Sequence, residues 1–307
     1  MGTGGLPDEG SAPHGDSAMK THARIARLLL VAALLPLLGA TAGLAHPHIL
    51  RAADRSEVTP EEMLHDLKKA RVIFIGELHD RTGHHRAQMS ILRALARDAV
   101  PLAIGLEMFR RDGQDDLDLW IDGTYPLDSF LRVYNDHWSM WEQYRDIFTF
   151  ARSSKVPLVG LNIPRDISNR VARHGFAALP ERDRQALGNV QCRVDPAYGE
   201  FIRRAMGGYG GHAQQYLFFC EAQLLWDTMM ARHLGDFLKE NPRHRVVVLA
   251  GSGHAWKFGI PRQLLEQMSV SYRVVLPEIA GRVERGRVTA EITDYLWLDE
   301  GEDGWSF

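Results

Sequence analysis

The amino-acid sequence predicts an α/β fold, a mainly parallel sheet flanked by helices, with a helical insertion. Two observations carry that expectation. The apolar run Val72–Ile75 reads as a strand buried on both faces, and Pro101–Phe109 is another apolar run of the same kind. Segments of helical period separate them, and the resulting β-α-β order usually produces a parallel sheet.

The first 45 residues stand apart from this pattern. Lys20, Arg24 and Arg27 precede the apolar stretch Leu28–Ala45, with small residues at Gly43 and Ala45 for cleavage before His46. That is the layout of a secretory signal peptide, for which Met19 would be a conventional start. Pro36, Gly39 and Gly43 interrupt a run barely long enough to span a bilayer, which argues against a permanent anchor. The domain proper is therefore expected over 46–307, exported to the periplasm or the cell envelope, with no cysteine after the signal for lipid attachment.

In "TPEEMLHDLKKA" a Thr and two Glu residues open a helix carrying Met63, Leu64 and Leu67 on one stripe. A strand at Val72–Ile75 follows, then a helix over His84–Ala96 with Met89, Leu92 and Leu95 aligned, then a strand at Pro101–Phe109. Asp112–Asp118 reads as a solvated acidic turn, and "NDHWSMWEQYRDIFTFAR" as one amphipathic helix whose Trp138, Trp141, Tyr144 and Phe148 face the core. Val156–Pro164 is a third strand. A helical subdomain is expected over about 166–240, broken at "AMGGYGGH" (Ala205–His212). A fourth strand begins at His244 and runs into a glycine-rich turn with His254; two more follow, at Tyr272–Ala280 and in "RVTAEITDYLWL".

A net charge of −3 and the lack of any Lys/Arg run exclude a nucleic-acid partner. The chain has two cysteines, Cys192 and Cys220, which either form a bridge or leave Cys220 packed in an apolar helix. Polar residues recur at strand ends: Glu77, His79, Glu107, Asn162 and His254. In an open α/β sheet such ends form a crevice, so these residues are expected to converge there. Of His84 and His85, at most one is expected to face that crevice, the other being solvated. Glu77, His79, Glu107 and His254 match the ligand menu of a divalent metal, or a general-base set that activates water.

The blocks "FIGELHDRTGHHRAQMSIL", "IGLEMFRRDGQDDLDLW", "VPLVGLNIP", "EAQLLWDTMMA" and "VVVLAGSGHAWKFGIP" occur in order over roughly Glu61 to Met268. Together they resemble the ChaN family, bacterial haem-binding proteins of iron uptake within the Tiki and erythromycin-esterase-like superfamily. The resemblance implies an α/β domain with an added helical part and a homodimer enclosing two face-to-face ferric haems. It also implies a tyrosine from one subunit on each iron and basic side chains from the other subunit near the propionates. Tyr209, set among glycines in "GGYGGH", and Tyr216, near the next helix start, are the candidate iron ligands, with Tyr198 a third option; His212 is the candidate propionate partner. An outer-membrane haem receptor or transporter is the further partner implied. Many relatives are lipoproteins, and this chain departs from them in having no cysteine after the signal. The superfamily leaves open whether Glu77, His79, Glu107 and His254 form a structural polar network, a working metal-dependent hydrolase site, or a direct histidine contact to haem.

Overall fold

A computed structural model describes Met1 and residues 49–188, 194–205 and 213–298. Its centre is a sheet of β1 (Ile49–Arg51), β2 (Glu57–Val58), β3 (Val72–Glu77), β4 (Leu102–Arg110), β5 (Leu158–Asn162), β6 (Arg245–Gly251), β7 (Tyr272–Pro277) and β8 (Tyr295–Trp297). The order across the sheet is β2-β1-β8-β7-β3-β6-β4-β5. The six strands from β8 to β5 are parallel, and β1 and β2 add an antiparallel edge. The mainly parallel α/β sheet expected from the sequence is thus present.

Every residue of β3 is buried, and its side chains alternate between two cores. Phe74 joins Val246, Val248, Val274 and Leu276 on one face, while Ile73 and Ile75 join Val247, Leu249 and Val275 on the other. The register pairs Phe74 with Val248 and Ile75 with Leu249, so the period of two is kept from strand to strand. The helices α1 (Pro60–Leu67), α2 (Thr82–Leu95), α3 (Gln114–Asp122), α4 (Leu127–His137) and α5 (Trp141–Ser154) contribute Met63, Leu92, Trp120, Tyr134 and Phe148 to the second core. The first core is closed by α6 (Arg165–His174), α7 (Glu181–Leu187), α8 (Pro196–Ala205) and α9 (Ala213–Glu240), with α10 (Ser252–Ala255) and α11 (Ile260–Leu265) after β6. Among the described residues no helix is long and apolar enough to cross a membrane.

Several expectations are corrected. Asp112–Asp118 is no solvated turn: a short 3-10 helix at Arg111–Gly113 leads into α3, which buries Leu117 and Trp120. The aromatic segment is two helices rather than one, because Trp138 is extended and Met140 is left-handed at φ 68°. The break is held by the Tyr134 hydroxyl donating to the Ser139 carbonyl at 3.0 Å, and it sets the Trp138 ring 5.0 Å from that of His79. Among the described residues the helical subdomain is interrupted at Gly175 and Gly188, both with positive φ. β1 and β2 occupy what reads in sequence as a polar lead, and "RVTAEITDYLWL" supplies only the three-residue β8. Residues of the signal segment, Cys192, Tyr209 and His212 lie outside the described residues, whereas Cys220 is disulfide-bonded.

Candidate functional site

The carboxyl ends of β3, β4 and β6 deliver the polar residues to one crevice. Glu77, the last residue of β3, is 1% exposed. A carboxylate that dry needs several donors, and it has them. His79 Nδ1 lies 2.6 Å from its Oε1, the Tyr144 hydroxyl donates to the same oxygen, and Gln88 Nε2 donates to Oε2 at 2.6 Å. Burial pushes this carboxyl up, but the His79 hydrogen bond and the charges of His85 and His79 outweigh it and hold the group below the usual range. Tyr144, in turn, is pushed far up by burial and by the Glu77 charge, so it stays a neutral donor.

A second pair mirrors the first across the crevice. His254, on α10, has its Nδ1 2.7 Å from Asp227 Oδ1, and the Tyr198 hydroxyl donates to Asp227 Oδ2 at 2.6 Å. Asp227 is fully buried, and that burial raises its carboxyl although the His254 charge opposes the rise. Each imidazole thus has its Nδ1 held by a buried carboxylate and its Nε2 turned elsewhere.

Glu107 stands between the two. Its Oε2 accepts from the Gly251 amide at 2.6 Å, and its Oε1 is 3.9 Å from His79 Nε2 and 3.7 Å from His254 Nε2. A Cβ at Gly251 would come 3.2 Å from His79 Nε2, so the ring would have to give by a few tenths of an ångström to admit one. For His79 burial opposes the charge, yet the Glu77 hydrogen bond and the charges of Glu107 and Glu77 raise it to about 9. His254 is likewise opposed by burial and raised to about 9 by Glu107 and Asp227. Both rings are therefore cations at neutral pH.

Both Nε2 atoms are within ion-pair range of the same Glu107 oxygen and beyond direct hydrogen-bond distance from it. In the charged form each ring donates through Nε2, and holding a metal or activating water there would first release that proton. Among the described residues, no group of three or more His, Cys, Asp or Glu side chains is arranged to hold a metal ion. Trp138 packs edge-on against His79 and Trp226 edge-on against His254, at 5.0 and 5.7 Å between ring centres, so each imidazole has an aromatic wall.

Glu77, His79, Glu107 and His254 are thus brought together as expected. Asn162 is not part of the cluster: its amide donates to the Glu107 carbonyl at 2.7 Å and its Oδ1 accepts from the Ile163 amide, which shapes the strand end. The expectation that one of His84 and His85 is solvated is wrong. Both are buried, His84 accepting from the Leu78 amide at 2.8 Å and His85 Nε2 lying 3.0 Å from the His79 carbonyl. Tyr198, one of three tyrosines considered for iron, is 1% exposed and committed to Asp227. Tyr216 is half-buried on the first turn of α9, its hydroxyl 3.5 Å from the Gly199 carbonyl. Sequence reasoning missed Asp227, Gln88 and the hydroxyl of Tyr144 as partners. The signal for Asp227 was a lone acid between the apolar pairs Leu224–Leu225 and Met229–Met230.

A family model described as haem-binding uptake, Tiki superfamily, ChaN matches residues 63–264, about two thirds of the chain. No curated protein matches. Among solved structures, one reporting cofacial haem binding to ChaN of Campylobacter jejuni superposes with a TM-score of 0.66 at 22% identity, covering 84% of this chain and 98% of that one. A mutant of the erythromycin esterase EreC in its open conformation gives a TM-score of 0.45 at 13% identity, covering 83% of this chain and 98% of the esterase. On the extent of the family match, the chain belongs to the ChaN family of haem-binding uptake proteins in the Tiki superfamily.

Proposed function

We propose that this protein is an exported haem carrier of iron or haem acquisition, binding ferric haem between two copies of the chain through a tyrosine. The observation that carries the reading is the haem-binding family match over 63–264. The Campylobacter ChaN structure, which binds haem cofacially, supports a pair of stacked haems and hence a homodimer for this chain too. An outer-membrane haem receptor or transporter would take part in transfer.

Tyr209 or Tyr216 is the iron ligand in this reading, and His212 a propionate partner. Phenolate is a hard anionic donor suited to ferric iron, used where haem is held. The donor set fits the group: Tyr216 is half-buried and, among the described residues, its hydroxyl makes one long contact, so turning it to a metal forfeits little. Tyr198 is unsuited, since its burial and the Asp227 charge hold it in the neutral form. When bound, the haem supplies ferric iron as cargo, and the chain's residues serve to hold and exclude.

The test is a haem titration of the purified chain, read by visible absorption and by size-exclusion chromatography. Saturation at one haem per chain is expected, with a high-spin ferric tyrosinate spectrum and a shift to dimer. Tyr209→Phe or Tyr216→Phe should remove that spectrum. A titration with no spectral change would overturn the reading.

A further inference from the structure

A cavity of about 240 Å³ lies between α8 and the turns that follow β7. Phe201, Trp256, Val283 and Val288 give it an apolar wall, and Arg204, Arg282 and Arg287 also line it. Phe201 and Trp256 lie 4.9 Å apart between ring centres. Cation is in excess there. Of the two lining carboxylates, Glu200 is shared by Arg203 and Arg204 at 3.1 Å each, while Glu284 is 3.5 Å from Arg287 and also accepts from the Gly281 amide at 2.8 Å. The Arg282 guanidinium has no side-chain partner among the described residues.

We infer that this cavity is the docking site of the chain's own acidic and aromatic tail, residues 299–307, which closes it against other apolar anions. These residues, "DEGEDGWSF", lie outside the described ones. Charge is the first argument. The tail carries Asp299, Glu300, Glu302 and Asp303 with no Lys or Arg, and then Trp305 and Phe307. Guanidinium forks onto carboxylates and stacks on aromatic faces, so the lining suits both kinds of side chain that the tail brings. Place is the second. The Glu278 amide donates to the Trp297 carbonyl at 2.8 Å, and Ile279 and Val283 exchange backbone hydrogen bonds at 2.7 and 2.8 Å. Leu298 therefore leaves the sheet beside the turn that carries Arg282 and Val283 into the lining. Trp305 comes seven residues later, an extended reach of at most about 25 Å.

The third argument is an orphaned polar atom. Trp256 is 7% exposed, and its indole N–H is buried without a partner. A buried donor left unpaired costs free energy, and the carboxylates and peptide carbonyls of the tail are acceptors for it. Size agrees. The volume is below the roughly 300–1,000 Å³ that encloses a whole small ligand, and it suits one aromatic side chain with the backbone beside it.

The experiment follows hydrogen–deuterium exchange by mass spectrometry over 279–292 in three proteins: the full chain, a chain ending at Leu298, and the full-length variant Glu300→Lys, Glu302→Lys, Asp303→Lys. Both altered chains should exchange several-fold faster over 279–292, with β3 and β6 unchanged as the measure of an intact fold. If the shortened chain loses protection in β3 and β6 as well, the lysine variant, which keeps the chain length, decides the matter. A synthetic peptide of residues 299–307, added to the shortened chain at about 1 mM, the effective concentration a short tether supplies, should restore slow exchange. Arg282→Glu in the shortened chain should weaken that peptide by about tenfold, the scale of one charge-assisted hydrogen bond. Equal exchange over 279–292 in the full chain and the lysine variant overturns the proposal and leaves the cavity to a free ligand or another protein. A peptide that restores nothing overturns it too, since the lost protection would then come from fraying of β8 and not from docking.

Discussion

At the scale of single residues, the chemistry is concentrated in Glu77. It is the fully buried anion on which His79, Tyr144 and Gln88 converge. Removing it leaves the buried Tyr144 and Gln88 donors and the half-buried His79 facing a cavity, which is costlier than losing any one of their hydrogen bonds. Glu77→Ala should therefore lower the free energy of unfolding by about 3–5 kcal/mol, the range for breaking a buried ionic group by deleting one partner. A denaturant melt checks this, and a loss under 1 kcal/mol would show that the donors find other partners. The same residue marks what was legible in the sequence. Glu77, His79 and His254 sit at or shortly after a strand end and Glu107 in the last part of β4, where the rule for open sheets points. Asp227 was not legible because it lies on α9, within a helix, and meets His254 only through tertiary packing.

At the scale of elements, local signals were read correctly wherever the capping chemistry was in the sequence itself. Thr59 accepts from the Glu62 amide at 3.2 Å while the Glu62 carboxylate accepts from the Thr59 amide at 2.8 Å, a reciprocal box that starts α1. Thr59→Ala should cost about 1 kcal/mol, measurable as a lower denaturation midpoint with an unchanged slope. Glu62→Ala should lose part of the same amount, and the double variant less than the sum, since the two bonds close one box. The elements that were misread depend on distant partners. β1 has three residues and exists because Ile49–Arg51 pairs with Trp297–Tyr295 from the other end of the chain. The break before α5 is hidden because apolar spacing continues across it, and only the contact of Trp138 with His79 reveals why the chain turns there.

At the scale of the whole molecule, the crevice couples stability to pH. His79 and His254 rise from an ordinary value of 6.5 to about 9 in the folded chain. The folded state therefore holds protons that the unfolded state has already released between those values. That stabilisation is fully present below about pH 6.5 and is lost as pH rises through about 9. Glu77 acts in the opposite sense: its lowered carboxyl contributes above the ordinary carboxylate range and is lost on acidification, while the raised carboxyl of Asp227 offsets part of that gain. Stability should thus be highest between the carboxylate range and about pH 6.5, then fall by at most about 1.4 kcal/mol per pH unit for each of the two imidazoles. Unfolding free energies measured by denaturant from pH 6 to 10 give the slope. The variant His79→Gln, His254→Gln separates the imidazoles from every other group that titrates in that window: it should start less stable and decline less steeply. A slope equal to that of the unaltered chain would mean that the two rings are neutral in the fold, and the crevice would then hold free nitrogen lone pairs in place of proton donors.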